Sequence, residues 1–151
     1  MSIREEIRAA VARLELAPDS FAEVSEEDGR RLFDAFLVRF TGGVDARWWW
    51  EHFSLPASTV QFADGKGFTR ISQLVPDARQ KVWFVAEDDQ LPYYPVYEAT
   101  PAAAERVIGE CYAFEYYLIS KDLRWLLGEN HHDTMFAIGE EVRSRMPSYG
   151  A

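Results

Sequence analysis

One short polar segment carries most of the side chains in this chain that could do acid–base chemistry. It consists of Glu129, Asn130, His131, His132 and Asp133. Histidine titrates near neutral pH, so an imidazole beside a carboxylate of this segment could serve as a general base. The same residue types form turns, because Asn and Asp side chains bond to nearby backbone N–H groups. The pattern therefore leaves three roles open for the segment: a structural turn, a binding surface or a catalytic group.

A second candidate group is the aromatic segment 48–50, in which three tryptophans precede Glu51 and His52. Three adjacent side chains cannot all point the same way on a helix or a strand, so we expect at least one indole to face a cleft or a second layer. The segment either seals helices against a sheet or forms the aromatic wall of a binding site. A buried indole also needs a partner for its N–H group, which makes the edge of such a site polar.

These two groups supply most of the site residues that we predict. The catalytic candidates are His131, His132, Glu129 and Asp133. The binding candidates are Trp48, Trp49, Trp50, His52, Trp125 and Asn130. If the site binds a small molecule, the tryptophans and the polar segment should meet around a concave pocket.

The sequence predicts no metal site and no cofactor. Adjacent His131 and His132 would point to opposite faces of a strand, and a turn that joins His131 to Asp133 supplies only two ligands. A zinc site needs three or four ligands, and the chain has neither an HExxH motif nor a pair of cysteines. The GxSxG motif is absent as well, and we expect the one cysteine, Cys111, to be buried as a small hydrophobic residue.

Composition indicates a folded, acidic protein. Hydrophobic residues make up 48% and aromatic residues 15% of the 151 residues, which is enough for a core, and the length suits one domain. The formal charge of −9 repels nucleic acid and anionic membranes, and it favours a basic protein partner. A single cysteine allows no internal disulfide, no apolar run reaches the ~20 residues of a membrane span, and the N-terminal residues are acidic. We therefore expect a cytoplasmic protein.

Helices are predicted from the spacing of apolar residues and from capping residues. Residues 2–15 combine helical spacing with a capping pattern at their start. A second helix should begin after Ser25 and end at Gly42. A third should begin after Thr100, where a proline suits the first helical position, and a short helix should cover residues 140–146.

Strands are predicted from apolar runs and from alternation of apolar and polar residues. The run 81–86 should be a central strand covered on both faces, and 93–97 an edge strand, because Pro95 cannot donate to a ladder. Residues 68–75 fit either a helix or a strand, and Gly128 is interpreted as a bulge. The remaining strands are expected at 58–63, 114–119, 123–127 and 135–138.

Together these elements predict a single α+β domain over residues 1–151, with an antiparallel sheet and helices packed mainly on one face. Short connections such as 120–122 require antiparallel neighbours, since a parallel crossover needs a much longer segment. No internal repeat, low-complexity tract or linker divides the chain.

The residues from Tyr117 to Leu127, with the polar segment 129–133 and Gly139-Glu140, resemble a bacterial family of uncharacterised small proteins with a W-L-x-x-E-N-H-H-D core. The likeness covers mainly residues 112–141, and it implies a shared structural unit without a named activity. The chain is also similar to SUKH-type immunity proteins, which are small acidic cytosolic α+β domains that bind and neutralise toxins. That likeness rests on size, charge and the order of helices and strands, and it implies a protein partner.

Two functions fit these observations. The first is non-catalytic binding of a protein partner, in its most specific form toxin immunity. The acid excess, the aromatic candidates and the lack of a complete catalytic constellation favour it. The second is small-molecule binding or catalysis, in which the tryptophans wall a pocket and His131 or His132 acts as the base.

Overall fold

The computed structural model describes residues 2–88 and 94–147. Within them, one sheet contains the strands Phe21–Glu23 (β1), Ala57–Gln61 (β2), Val82–Ala86 (β3), Val96–Ala99 (β4), Tyr116–Ile119 (β5), Leu126–Glu129 (β6) and Thr134–Ile138 (β7). The α-helices are Ile3–Arg13 (α1), Glu26–Thr41 (α2), Ile71–Leu74 (α3), Pro101–Glu110 (α4) and Glu140–Arg143 (α5). Two short 3₁₀ helices cover Trp49–Glu51 and Gly67–Arg70.

The strand order is β1-β4-β3-β5-β6-β7-β2, and every pairing between these strands is antiparallel. β1 and β2 form the two borders of the sheet. Every residue of β5 and β6 is buried, as expected for strands that are covered on both faces. The predicted α+β fold with an antiparallel sheet is confirmed, and β3 is an internal strand as predicted.

Helices cover the two faces of the sheet unequally. α1, α3, α4 and α5 pack on the face that carries Phe84 and Leu118. α2 and the 3₁₀ helix Trp49–Glu51 pack on the opposite face, which carries Val85 and Tyr117. Successive strand residues face opposite sides, so the same strands supply both cores. The prediction of helices packed mainly on one face is confirmed.

Local capping sets where the longer helices begin and end. Ser2, Ser25 and Thr100 each accept a hydrogen bond from the backbone N–H three residues later, at 3.2 Å. Such caps satisfy a backbone donor that the first helical turn leaves unpaired. α2 ends at Gly42, which has a left-handed φ of +62° that glycine adopts readily. The predicted starts of α1, α2 and α4 are therefore confirmed.

The predicted edge strand at 93–97 is wrong. β4 is internal, because it pairs with β3 on one side and with β1 on the other, where Phe21 lies opposite Ala99. Pro95 precedes the strand, so its missing N–H does not interrupt the ladder. β1 has only three residues and no sequence pattern of its own, which is why the sequence did not predict it. Tyr93 lies outside the described residues.

The boundaries of two other predicted elements also differ in the structure. Residues 68–74 are helical and are divided between a 3₁₀ helix and α3, whereas Val75 is extended. β6 begins at Leu126 and not near residue 123, because Leu123 has a φ of +59° that is incompatible with an extended strand.

Gly128 lies in the regular ladder of β6, opposite Tyr117, so the predicted bulge is wrong. The glycine is required by close packing. A Cβ atom at this position would lie 2.4 Å from Cδ1 of Tyr117 and 2.8 Å from the carbonyl oxygen of Tyr116. Both neighbours are buried, so neither can move aside without disturbing the core.

Replacing Gly128 by alanine should lower the free energy of unfolding by about 1–3 kcal/mol, because the added methyl group overpacks the core. Urea unfolding followed by circular dichroism measures the change. Thr59→Ala on the exposed border strand β2 is the control, with an expected change within about 0.5 kcal/mol. Equal losses in the two variants would contradict the close packing at Gly128.

Candidate functional site

The polar segment 129–133 begins at the end of β6 and forms the turn into β7. Asn130 holds this turn, because its Oδ1 accepts the backbone N–H of His132 at 2.9 Å and that of Thr134 at 3.0 Å. Asp133 has a φ of +59°, a left-handed conformation in which Asp and Asn are enriched. The turn thus engages the side-chain oxygen of Asn130 and leaves the two imidazoles exposed.

A buried carboxylate holds His131 in place. Glu115, which immediately precedes β5, is only 2% exposed. Its Oε2 contacts Nδ1 of His131 and accepts the backbone N–H of the same residue at 3.1 Å. Its Oε1 accepts the indole N–H of Trp50 at 3.2 Å. These donors satisfy a buried charge that would be costly if left unpaired, and they join the tryptophan segment to the β6–β7 turn.

Sequence reasoning missed Glu115 as a site residue. On the spacing of a strand it shares a face with Tyr117 and Ile119, and that face is buried. An acidic residue in phase with a buried apolar face is rare unless it is paired. This phase relation is the signal that could have identified it.

Two tryptophans and two histidines form a continuous ring surface around this carboxylate. The ring of Trp48 lies 5.3 Å from that of His131, and Trp50 lies 6.0 Å from both imidazoles. Trp48 and Trp50 stack at 6.2 Å, and the two imidazoles lie 4.0 Å apart. We call Trp48, Trp50, His131 and His132 the aromatic–imidazole patch. The tryptophans are half-buried and the histidines are exposed, so the structure brings these four predicted residues together at the surface.

The other predicted binding residues lie elsewhere. Trp49 is fully buried and stacks on Tyr117 at 4.8 Å, so it seals the 3₁₀ helix against the sheet. His52 is exposed at the end of that helix. Trp125 precedes β6, whereas the polar turn follows it, so Trp125 and His131 lie at opposite ends of the strand. The run of three tryptophans therefore divides between the core and the surface, as the spacing requires.

A cleft of about 220 Å³ lies between the β6–β7 turn, α4 and the 3₁₀ helix Gly67–Arg70. The lining residues that matter here are Phe68, Ile108, Phe114, Tyr116, Glu129 and Asp133. His131 also lines it and is thus common to the cleft and the patch. No tryptophan is among its described lining residues, so the tryptophans and the polar turn do not meet around this cleft.

Glu129 is the buried carboxylate of the cleft. It is 7% exposed, and its Oε1 accepts the hydroxyl hydrogen of Tyr116 at 2.9 Å. Burial raises the pKa of Glu129 above its ordinary value and the charge of Asp133 adds to this, while the hydrogen bond from Tyr116 acts in the opposite direction. A Cβ atom at Gly67 would lie 3.0 Å from Oε2 of Glu129, so the glycine leaves room for the carboxylate.

Cys111 lines the same cleft and is half-buried at the end of α4. Burial raises the pKa of its thiol to about 11, and the charge of Glu6 adds to the effect. The thiol is therefore protonated at neutral pH and is a poor nucleophile. The side chains of residues 2–88 and 94–147 form no group of three or more His, Cys, Asp or Glu that could hold a metal ion.

A family profile matches residues 1–150 of the chain. The protein belongs to a family of unknown function, DUF6756. Membership of DUF6756 agrees with the expectation of an uncharacterised family, and the match covers residues 1–150. No curated protein and no solved structure matches the chain. Within the part of the DUF6756 chain that the structure describes, no helix has the length and apolar character needed to cross a bilayer.

The two histidines of this DUF6756 chain should respond differently to replacement by alanine. His131→Ala removes a partner from the buried carboxylate of Glu115 and should cost about 1–3 kcal/mol of unfolding free energy. His132→Ala should change stability by no more than about 0.5 kcal/mol, because its imidazole is exposed. Urea unfolding of both variants tests this difference. Equal effects would show that Glu115 does not depend on the imidazole of His131.

Replacing Glu129 by glutamine should change the pH dependence of stability. A carboxyl group whose pKa is raised by folding contributes stability that is present below its unfolded value, here 4.5, and is lost as pH rises through the folded value. The wild type should therefore lose stability relative to Glu129→Gln when the pH is raised from 4.5 to a neutral value. Urea unfolding at both pH values measures this. A difference between the two proteins that is independent of pH would contradict the raised pKa.

Proposed function

We propose that the protein is a non-catalytic binding protein that captures a basic protein partner through the aromatic–imidazole patch. The observation that carries the proposal is the anchoring of this surface: two half-buried indoles and two imidazoles surround a carboxylate that is removed from solvent. Rigid aromatic groups at the surface are the commonest anchors of protein interfaces.

Preorganisation supports this role. Glu115 hydrogen-bonds to both segments of the patch, so the rings of Trp50 and His131 are held before a partner arrives. A surface that is already ordered loses little side-chain entropy on binding, which improves affinity for a given contact area. The tight turn around Asn130 fixes the imidazole side of the patch in the same way.

Charge supports a basic partner. The chain has a formal charge of −9, and the exposed residues Glu51 and Asp133 directly follow the two segments that form the patch. A guanidinium group could stack on an exposed indole face while it pairs with a neighbouring carboxylate. Negative charge around the contact surface also speeds the capture of a positively charged protein. Neutralisation of a basic toxin is the specific form of this function that the resemblance to SUKH-type immunity proteins implies.

A second candidate function is small-molecule binding or acid–base catalysis at His131. The favouring observation is the contact between Nδ1 of His131 and the buried carboxylate of Glu115. A carboxylate in this position orients an imidazole and directs its other nitrogen, Nε2, toward a ligand. The side chain of His131 is 43% exposed and also lines the cleft. We place this function second because the described residues form no group of three metal ligands, and the thiol of Cys111, which lines the same cleft, is a poor nucleophile.

Affinity capture from a lysate of the native host tests the protein-binding function. The immobilised wild type should retain a basic protein, and Trp48→Ala should weaken its binding at least about tenfold because the variant removes an aromatic anchor. Surface plasmon resonance with the purified partner measures the dissociation constant. Association should also slow as salt concentration rises, since screening removes the attraction between opposite charges.

Tyr112→Ala is the matched control. Tyr112 is an aromatic residue that is 85% exposed, and its backbone N–H donates to Glu6 on α1, the helix packed on the other face of the sheet. This variant should bind the partner as the wild type does. Equal weakening in the two variants, or retention of a small molecule with no protein, would contradict the proposal, and the second result would favour the second candidate.

A further inference from the structure

Glu129 places a carboxyl group in the cleft without a cationic partner among the described residues. Within the described residues, no Lys, Arg or His forms a salt bridge with Glu129, a residue that is only 7% exposed. Asp133 lines the same cleft and adds a second carboxylate. Asp64 is nearby, but Arg70 neutralises it with contacts of 2.9 Å to both oxygens. A buried carboxylate without a cation attracts a positively charged ligand.

Part of the cleft wall is apolar and includes three Phe or Tyr rings. Phe68, Ile108, Phe114 and the ring of Tyr116 line it together with Glu129. Ring faces attract a cation, and the apolar surface favours an alkyl chain next to the charged group. The lining therefore combines the carboxylate of Glu129 with apolar surfaces that suit the alkyl chain of a ligand.

The size of the cleft limits the ligand. Its volume is about 220 Å³, which is smaller than the roughly 300–1,000 Å³ of pockets that hold drug-sized ligands. A nucleotide or a flavin is too large for it. An ammonium group on a short alkyl chain fits both the volume and the lining. A planar guanidinium is a poorer match, because it pairs best with both oxygens of a carboxylate. Oε1 of Glu129 already accepts a hydrogen bond from Tyr116, so the two oxygens are not equally available.

We propose that this cleft binds a primary alkylammonium group, with the ammonium against Glu129 and the alkyl chain between Phe68, Ile108 and Phe114. The group belongs either to a free small amine or to a lysine side chain of another protein. The proposal does not rest on the aromatic–imidazole patch, since no described tryptophan lines the cleft.

Titration with n-butylammonium chloride at neutral pH tests the proposal. Isothermal calorimetry, together with ¹H–¹⁵N spectra, should show saturable binding to the wild type with shifts centred on residues 67, 116 and 129. Glu129→Gln keeps the shape of the side chain and removes its charge, so it should weaken binding at least about tenfold. n-Butanol, which has the same chain without the charge, should not bind saturably.

Asp34→Asn is the matched control for the loss of one negative charge. Asp34 is exposed on α2, on the opposite face of the sheet, so this variant should bind the amine as the wild type does. The ¹H–¹⁵N spectrum of Glu129→Gln away from the cleft establishes that the variant is folded. Binding that is absent in the wild type, or that is equal in wild type and Glu129→Gln, would overturn the proposal.

Two further arms identify the source of the ammonium group. A capped Gly-Lys-Gly peptide that binds more tightly than n-butylammonium assigns the cleft to a lysine of a protein, and the reverse order assigns it to a free amine. Trp48→Ala should leave amine binding unchanged. If Trp48→Ala loses partner capture and still binds the amine, the patch and the cleft are independent sites. Either proposal can then fail without the other.

Discussion

Three donor groups converge on the carboxylate of Glu115, which is almost completely removed from solvent. The donors come from Trp50, which precedes β2, and from His131, in the turn before β7. A buried charge is tolerated only while it is paired, so this carboxylate requires both segments to stay where they are. The contact therefore does more than position an imidazole. It also connects the segment that precedes the border strand β2 to the turn between β6 and β7.

His131 belongs to two different surfaces. On one face of the sheet it packs against Trp48 and Trp50, and on the other it lines the cleft that contains Glu129. The side chains of strand residues alternate between faces, but a residue in a turn is free of that rule and can contact both. The end of the sheet thus carries a broad aromatic surface and a narrow acidic cleft that differ in size and in the ligands they suit.

The sequence predicted the starts of the longer helices and the polar turn because their signals are local. Caps such as Ser25 act within one turn of the chain, and the composition of segment 129–133 marks it as a turn with reactive side chains. The location of Trp49 in the core could not be predicted, since spacing alone does not say which of three adjacent indoles is buried. β1 and the pairing of Glu115 were missed for a related reason. Both depend on partners distant in sequence, and no local pattern encodes the position of α4 that completes the cleft.

The pairing of the border strands has a consequence for the order of folding. Within the described sheet β2 pairs with one strand, β7, so the ladder between Ala57 and Ile138 can form only after β7 is present. Contacts between such distant residues form late, because the entropy cost of closing a long loop comes before the contacts can stabilise the fold. On the ribosome, β2 stays without its partner strand until residues 134–138 have been synthesised. The tryptophans just before β2 should reach their final surroundings only after that, so their emission can report when β7 has joined the sheet.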